Sequence, residues 1–171
     1  MNIDSLIEMY KREKSSSERT NFENLYQSAA EFCNPAADNI QSKCSKGDRD
    51  SQERITDIGI KARRMFTAGM MSHLFPQGQN WLRVVTQNRD FMQSDNVIRA
   101  LTSVTKKLLR AIEDSNFYEE MGQCIDHCGY IGTTALYCEP TKTKMLNFRS
   151  HYINQFYFCE NYLGEVDTVI R

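Results

Sequence analysis

The sequence predicts an α+β chain, with several amphipathic helices through residue 130 and a small antiparallel β-meander over 131–171. Three observations carry that expectation. Apolar residues recur at spacings of three and four through most of the first 130 positions, the period of a helix with one buried face. From residue 133 onward the pattern shortens to runs of four to seven residues separated by turn-forming Gly, Pro and Asn. The 171 residues are 40% hydrophobic and 25% charged, enough for one globular unit with a sizeable core.

The elements follow in order. Residues 1–13 form a short helix with Leu6, Met9 and Tyr10 on one side. Ser15 and Glu18 have the spacing of a capping box for a second helix. That helix places Phe22, Leu25, Tyr26, Ala29 and Phe32 at helical spacing and stops before Pro35, because the residue preceding a proline disfavours the helical well. Residues 34–50 are polar, carry Gly47, Asp48 and Asp50, and read as an exposed loop. A third helix is expected from near Ser51 to Leu74, about 36 Å long. Its Ile55, Ile58, Ala62, Met65, Phe66, Met70 and Leu74 would be buried, and Lys61, Arg63 and Arg64 would lie opposite.

Pro76 and Gly78 break that helix, and residues 81–86, beginning at Trp81, are β-rich and read as a short strand. Residues 90–113 return to helical spacing through Val97, Leu101, Val104, Leu108 and Ile112. Asp114, Ser115 and Asn116 stop that helix and cap the next, which carries Phe117, Met121, Cys124, Ile125 and Cys128. Gly132 allows a bend before a strand over 133–139. Two more strands are expected over 145–149 and 155–160. A turn at 161–164 leads into the alternating residues 165–171. The chain stops inside that alternating pattern, so the sheet is expected to be unfinished and the chain to be part of a longer protein.

Charge excludes some classes. Lys and Arg number 21 and Asp and Glu 22, so the chain is neither a strongly basic nucleic-acid binder nor an acidic tail. No run approaches the length of a membrane-spanning helix. The N-terminus is polar without an apolar stretch, so the six Cys are expected as free thiols in a reducing compartment.

Catalytic signatures are missing. Phosphate-binding and dinucleotide glycine loops, the zinc-protease helix and the nucleophile elbow do not occur. Cys124, His127 and Cys128 form one metal-like cluster, because residues four apart share a helix face and two thiolates with an imidazole can hold zinc. The simpler account makes both Cys small hydrophobes on a buried face. Lys61, Arg63 and Arg64, with Lys106, Lys107 and Arg110, could touch phosphates, the simpler account being a solvated outer face. Trp81 with the nearby Phe75 could form a platform for base stacking or a ligand, the simpler account being a core anchor after a turn. No catalytic residue, cofactor or metal is assigned on these grounds.

Several segments together resemble a known family. Arg19-Thr20-Asn21-Phe22-Glu23-Asn24-Leu25-Tyr26, followed by Ala29-Ala30-Glu31-Phe32-Cys33-Asn34-Pro35, resembles the opening of head-to-tail connector (portal) proteins of short-tailed bacteriophages. Arg54-Ile55-Thr56-Asp57 and the run from Ala68 to Pro76 look like that family's second helix and its proline stop. Gly78-Gln79-Asn80-Trp81-Leu82 fills the place of the aromatic strand that follows. Ser115-Asn116-Phe117-Tyr118, Gly132-Thr133-Thr134-Ala135-Leu136-Tyr137 and the hairpin from Glu160 to Arg171 are similar to later family segments. The order and spacing across 19–171 carry the resemblance. The Cys richness from Cys124 to Cys138 departs from it.

The resemblance implies an N-terminal fragment of a portal protein: a wing-like helical region over 1–130 and the start of a β-rich region over 131–171. It implies a structural, non-enzymatic subunit of a dodecameric ring at one capsid vertex, in a phage or prophage. Its implied partners are further copies, the packaging motor, capsid and tail proteins, and double-stranded DNA in the channel of the full-length protein, with no membrane. Its place would be the virion, and the bacterial host cytoplasm during assembly. Phe22, Tyr26 and Phe32 would anchor helix packing, Pro76 and Trp81 the helix-to-strand corner, and Gly132 the bend. The alternatives are a small metal- or DNA-binding regulator using Cys124, His127, Cys128 and the basic faces, or an inert truncated prophage remnant.

Overall fold

The computed structural model describes residues 3–34, 56–87, 94–142, 145–161 and 163–171. Its elements are α1 (Ile3–Lys14), α2 (Ser17–Cys33), α3 (Ile58–Leu74), α4 (Asp95–Glu113) and α5 (Phe117–Ile131), then β1 (Ala135–Glu139), β2 (Asn147–His151), β3 (Tyr157–Glu160) and β4 (Val166–Ile170). This is the α+β class expected from the sequence. The expected loop over 35–50, the helix segment over 51–55 and the segment over 90–93 lie outside the described residues.

The strands form two separate two-stranded antiparallel sheets, β1–β2 and β3–β4, rather than one meander. In the first, Tyr137 faces Arg149 and Cys138 faces Phe148. In the second, Phe158 faces Val169, with an irregularity between Cys159 and Glu160. A short 3-10 turn at Ile153–Gln155 joins the two hairpins. Helix α5 lies at the centre, against α2, α3, α4, β1 and β2, while α1 packs on β3.

Two packed clusters hold this arrangement. One gathers Ala30, Ile131, Ile153 and Phe156, with Tyr26, Tyr130, Ala135, Tyr152 and Phe158 packed around them. Ile153 and Phe156 are only 2% and 1% exposed, so the linker between the hairpins is itself core. Burying a large apolar side chain contributes on the order of 2 kcal/mol. The second cluster is aromatic and centres on Phe117.

Several helix boundaries and faces differ from expectation, each for a physical reason. Helix α3 begins at Ile58, with Thr56 and Asp57 ahead of it and the Thr56 hydroxyl accepting the Ile58 N–H at 3.3 Å. None of its residues is fully buried, and Ile58, Met65, Phe66 and Leu74 are exposed. It meets α5 through Arg63, Thr67 and the Phe66 ring instead. In α4 the inward residues are Thr105, Leu109 and Ile112, and the expected Val104 and Leu108 are exposed. Thr105 wins the inward position because its hydroxyl accepts the Val84 N–H at 3.1 Å and donates to the Leu101 carbonyl at 2.8 Å. An apolar side chain there would leave that amide unpaired.

Residues 81–86 form no strand, and among the described residues no strand pairs with them. β-propensity alone does not make a sheet without a partner backbone, and here the Val84 N–H goes to the Thr105 hydroxyl. Ser15 does not cap α2; its hydroxyl donates back to the Lys11 carbonyl of α1 at 2.8 Å, and Ser16 stands at the α2 N-cap.

Candidate functional site

The largest convergence of side chains is structural. Phe117, at the first position of α5 and 6% exposed, touches four other rings. Trp81 stacks on it at 5.8 Å and 13°. Phe75, Phe148 and the neighbouring Tyr118 meet it edge-on at 5.5, 5.2 and 5.4 Å. Phe75 also meets Trp81 edge-on at 5.0 Å, and the indole N–H donates to the Tyr118 hydroxyl at 3.3 Å. Edge-on and offset contacts suit the ring quadrupoles. One knot therefore ties together the end of α3, the 81–86 segment, the start of α5 and β2. Pro76 sits half-buried just after Phe75, where the α3 chain turns through Gly78.

Gly132 ends α5 with φ of +85°, and its N–H donates to the Cys128 carbonyl at 2.9 Å. A left-handed residue after the last turn satisfies a helix carbonyl that would otherwise be orphaned, and glycine adopts it without a Cβ clash. The turn points the chain into β1.

Helix α2 carries two apolar faces. Tyr26 and Ala30 face the core, with Arg19 and Glu23 on the same side. Phe22, Leu25 and Phe32 lie on the adjacent arc and are exposed, Phe22 by 53% and Phe32 by 67%. Tyr26 packs against the core cluster and stacks with Phe22 at 6.0 Å and 22°, while much of Phe22 and Phe32 stays open. At about 100° per residue, both sets satisfy spacings of three and four, so periodicity alone does not choose between them.

The basic candidates separate in the same way. Lys61 and Arg64 are exposed on α3. Arg63 turns toward α5, 3.4 Å from Asp126, with its side chain largely buried and its guanidinium over the Tyr130 ring at 5.9 Å. Its Nε and Nη1 lack well-directed acceptors, so the Asp126 charge is its main compensation. Asp126 also accepts from the Thr67 hydroxyl at 3.2 Å. Within this chain Arg63 is therefore an ion-pair residue of the α3–α5 contact.

The metal-like triplet does not converge. The Cys124 thiol is buried against the Thr134 hydroxyl at 3.4 Å, and burial pushes its pKa up. Cys128 is exposed, contrary to the buried face expected for it, and its thiol reaches the Gly132 carbonyl at 3.7 Å. His127 packs edge-on to Tyr152 at 4.8 Å and Tyr130 at 6.4 Å, and burial pushes its pKa down. Among the described residues no three His, Cys, Asp or Glu side chains are placed to hold an ion.

Residues that sequence reasoning passed over prove central. Arg19 donates to the Ile153 carbonyl at 2.7 Å, pairs with Glu23 at 2.8 Å and lies over the Tyr157 ring at 4.9 Å, clamping α2 to the second hairpin. Only its place at the head of the aromatic helix hinted at this. Asn116 and Glu120 bind the backbone of β2, a role that no local spacing announces.

A packed aromatic corner and a helix with two apolar faces mark this α+β unit. Residues 7–171 match the family described as bacteriophage head to tail connecting protein, and the chain belongs to that family. It is 26% identical over 155 residues to the portal protein of Salmonella phage epsilon15, covering 90% of this chain and 28% of that protein. It is 23% identical over 127 residues to a probable portal protein of Bordetella phage BPP-1, covering 74% of this chain and 23% of that protein. The chain thus spans about a quarter of the length of these relatives. Among the described residues no helix is long and apolar enough to cross a membrane.

Proposed function

We propose that this chain is part of a portal subunit of a bacteriophage or prophage. In this reading the full-length protein assembles into a ring, dodecameric as the family resemblance implies, at one vertex of the capsid. The ring passes double-stranded DNA during packaging and ejection, receives the packaging motor and seats the tail. The work is architectural: subunits pack, and no bond is made or broken. The protein assembles in the host cytoplasm and ends in the virion.

The observation that carries the reading is the family match along nearly the whole chain, with portal relatives aligned over most of it. The exposed apolar arc of α2 supports it, because one chain leaves that surface uncovered. Helices α1 and α2 and the aromatic corner then serve as a rigid outer framework. The regulator alternative loses support from the dispersed Cys124, His127 and Cys128 and from the paired Arg63.

The test is electron microscopy of the purified full-length protein. Closed rings with a central opening are expected. A protein that stays monomeric at every concentration that assembly buffers allow refutes the reading.

A further inference from the structure

Helix α3 is held by polar groups more than by apolar burial. None of its residues is fully buried, and it packs on α2 and α5. Toward α5 its contacts include Arg63 to Asp126 at 3.4 Å, the Thr67 hydroxyl to the same carboxylate at 3.2 Å, and the Phe66 ring against Gly129. One carboxylate thus serves both polar groups. The Arg63 side chain is only 12% exposed, and its Nε and Nη1 have no well-directed acceptor among the described residues. A cation so placed depends on its counter-charge.

His127 stands beside this pair, one residue after Asp126 on α5. Its ring packs edge-on against Tyr152 at 4.8 Å and Tyr130 at 6.4 Å, and the Arg63 guanidinium lies over that same Tyr130 ring at 5.9 Å. The two tyrosine hydroxyls are bonded to each other at 3.3 Å, and that of Tyr130 accepts from Asn34 at 3.2 Å. The His127 Nδ1 is shut off from solvent and has no hydrogen-bond partner among the described residues. The charged groups acting on the ring are Asp126 from its own helix and Arg63 from α3. A neutral imidazole can leave a lone pair on Nδ1, whereas the protonated ring is a donor at both nitrogens. Protonation therefore buries an N–H without an acceptor, and it sets a second cation where one carboxylate already serves Arg63 and Thr67.

We propose that the α3–α5 contact is a pH-sensitive latch, closed while His127 is neutral and loosened when His127 takes a proton. Burial chiefly, and Arg63 with it, holds His127 below its ordinary pKa, and Asp126 opposes them. Opening returns the ring to water, so the open form binds the proton more readily. The closed form is favoured above about pH 6.5 and loses ground as pH falls below that value. The apolar core cluster contains no α3 residue, so the opening stays local. His73, the other imidazole of α3, is exposed in the last turn, where a positive charge favours the helix, and it acts in the opposite direction. The inference concerns contacts within one chain and does not rest on the ring reading.

Hydrogen–deuterium exchange of the chain at about pH 7.5 and about pH 5.5, corrected for the intrinsic pH dependence of amide exchange, tests it. Peptides of α3 should lose protection at the lower pH by up to about tenfold, the ceiling one unit below the ordinary imidazole pKa, while peptides of α4 and β3 hold theirs. In His127→Gln the response should vanish. In Arg63→Gln, which keeps the imidazole and removes the cation beside it, the response should shrink. A change in α3 smaller than about twofold, a loss shared equally by every element, or a response that either variant retains in full overturns the inference.

Discussion

Replacing Phe117 by Ala should be among the most damaging single changes in the chain. The side chain is almost wholly buried and touches Phe75, Trp81, Tyr118 and Phe148. Losing its burial costs about 2–3 kcal/mol. Each aromatic pair adds roughly 0.5–1.5 kcal/mol beyond burial, reduced here because Phe75 and Trp81 keep their contact with each other. The surrounding residues come from four separate elements and cannot collapse together, so a cavity persists and the total should reach about 4 kcal/mol. Thermal unfolding followed by near-ultraviolet circular dichroism should then show a midpoint lowered by roughly 8–16 °C. Phe117→Leu, which fills most of the space, should cost only about 1 kcal/mol. A double-mutant cycle with Trp81→Ala should give a coupling of about 0.5–1.5 kcal/mol. If Phe117→Ala lowers stability by less than about 1 kcal/mol in urea titration, the ring knot is not what fixes the corner.

Other positions give independent checks. A Cβ at Gly59 would lie 2.8 Å from the Phe32 carbonyl oxygen, a backbone atom that cannot swing aside. Gly59→Ala should therefore cost about 1–2 kcal/mol net of the better helix propensity of Ala, read as a lowered melting midpoint. Gly132→Ala forces a side chain into a left-handed conformation and should cost about 1 kcal/mol or more in the same measurement. Asp126→Leu strands the Arg63 cation and should cost about 2 kcal/mol or more, whereas adding Arg63→Met should restore most of the loss; no restoration would show that the pair is not what matters. His127 is held below its usual pKa first by burial and then by Arg63, with Asp126 acting the other way. Its neutral form is the one the fold prefers, so its contribution is complete above about pH 6.5 and is lost as pH falls through that value toward the folded pKa. The melting midpoint should drop between about pH 7 and 5 more steeply in the natural chain than in His127→Gln, and parallel curves would dismiss the effect.

Much of the architecture was decided by the sequence alone. Element type follows largely from local period, so the five helices and the four strands after Gly132 were legible, whereas the fifth strand expected over 81–86 does not form. Helix stops at Cys33 and Leu74 lie beside prolines, whose restriction on the preceding backbone needs no tertiary partner. The family resemblance was legible too, because it rests on the order of short segments along the chain. Tertiary structure decided which apolar arc of a helix faces inward. Phe22 and Tyr26, or Val104 and Thr105, differ by rotations that periodicity treats alike, and only the neighbours Phe156 and Val84 choose between them. It also decided which charge is buried: Arg63 reads like Arg64 until Asp126 lies across from it. Strand pairing was likewise non-local, since a β-rich segment becomes sheet only where another backbone offers its hydrogen bonds. That is why residues 81–86 stayed single and why β2 found side chains of α5 in place of a neighbouring strand.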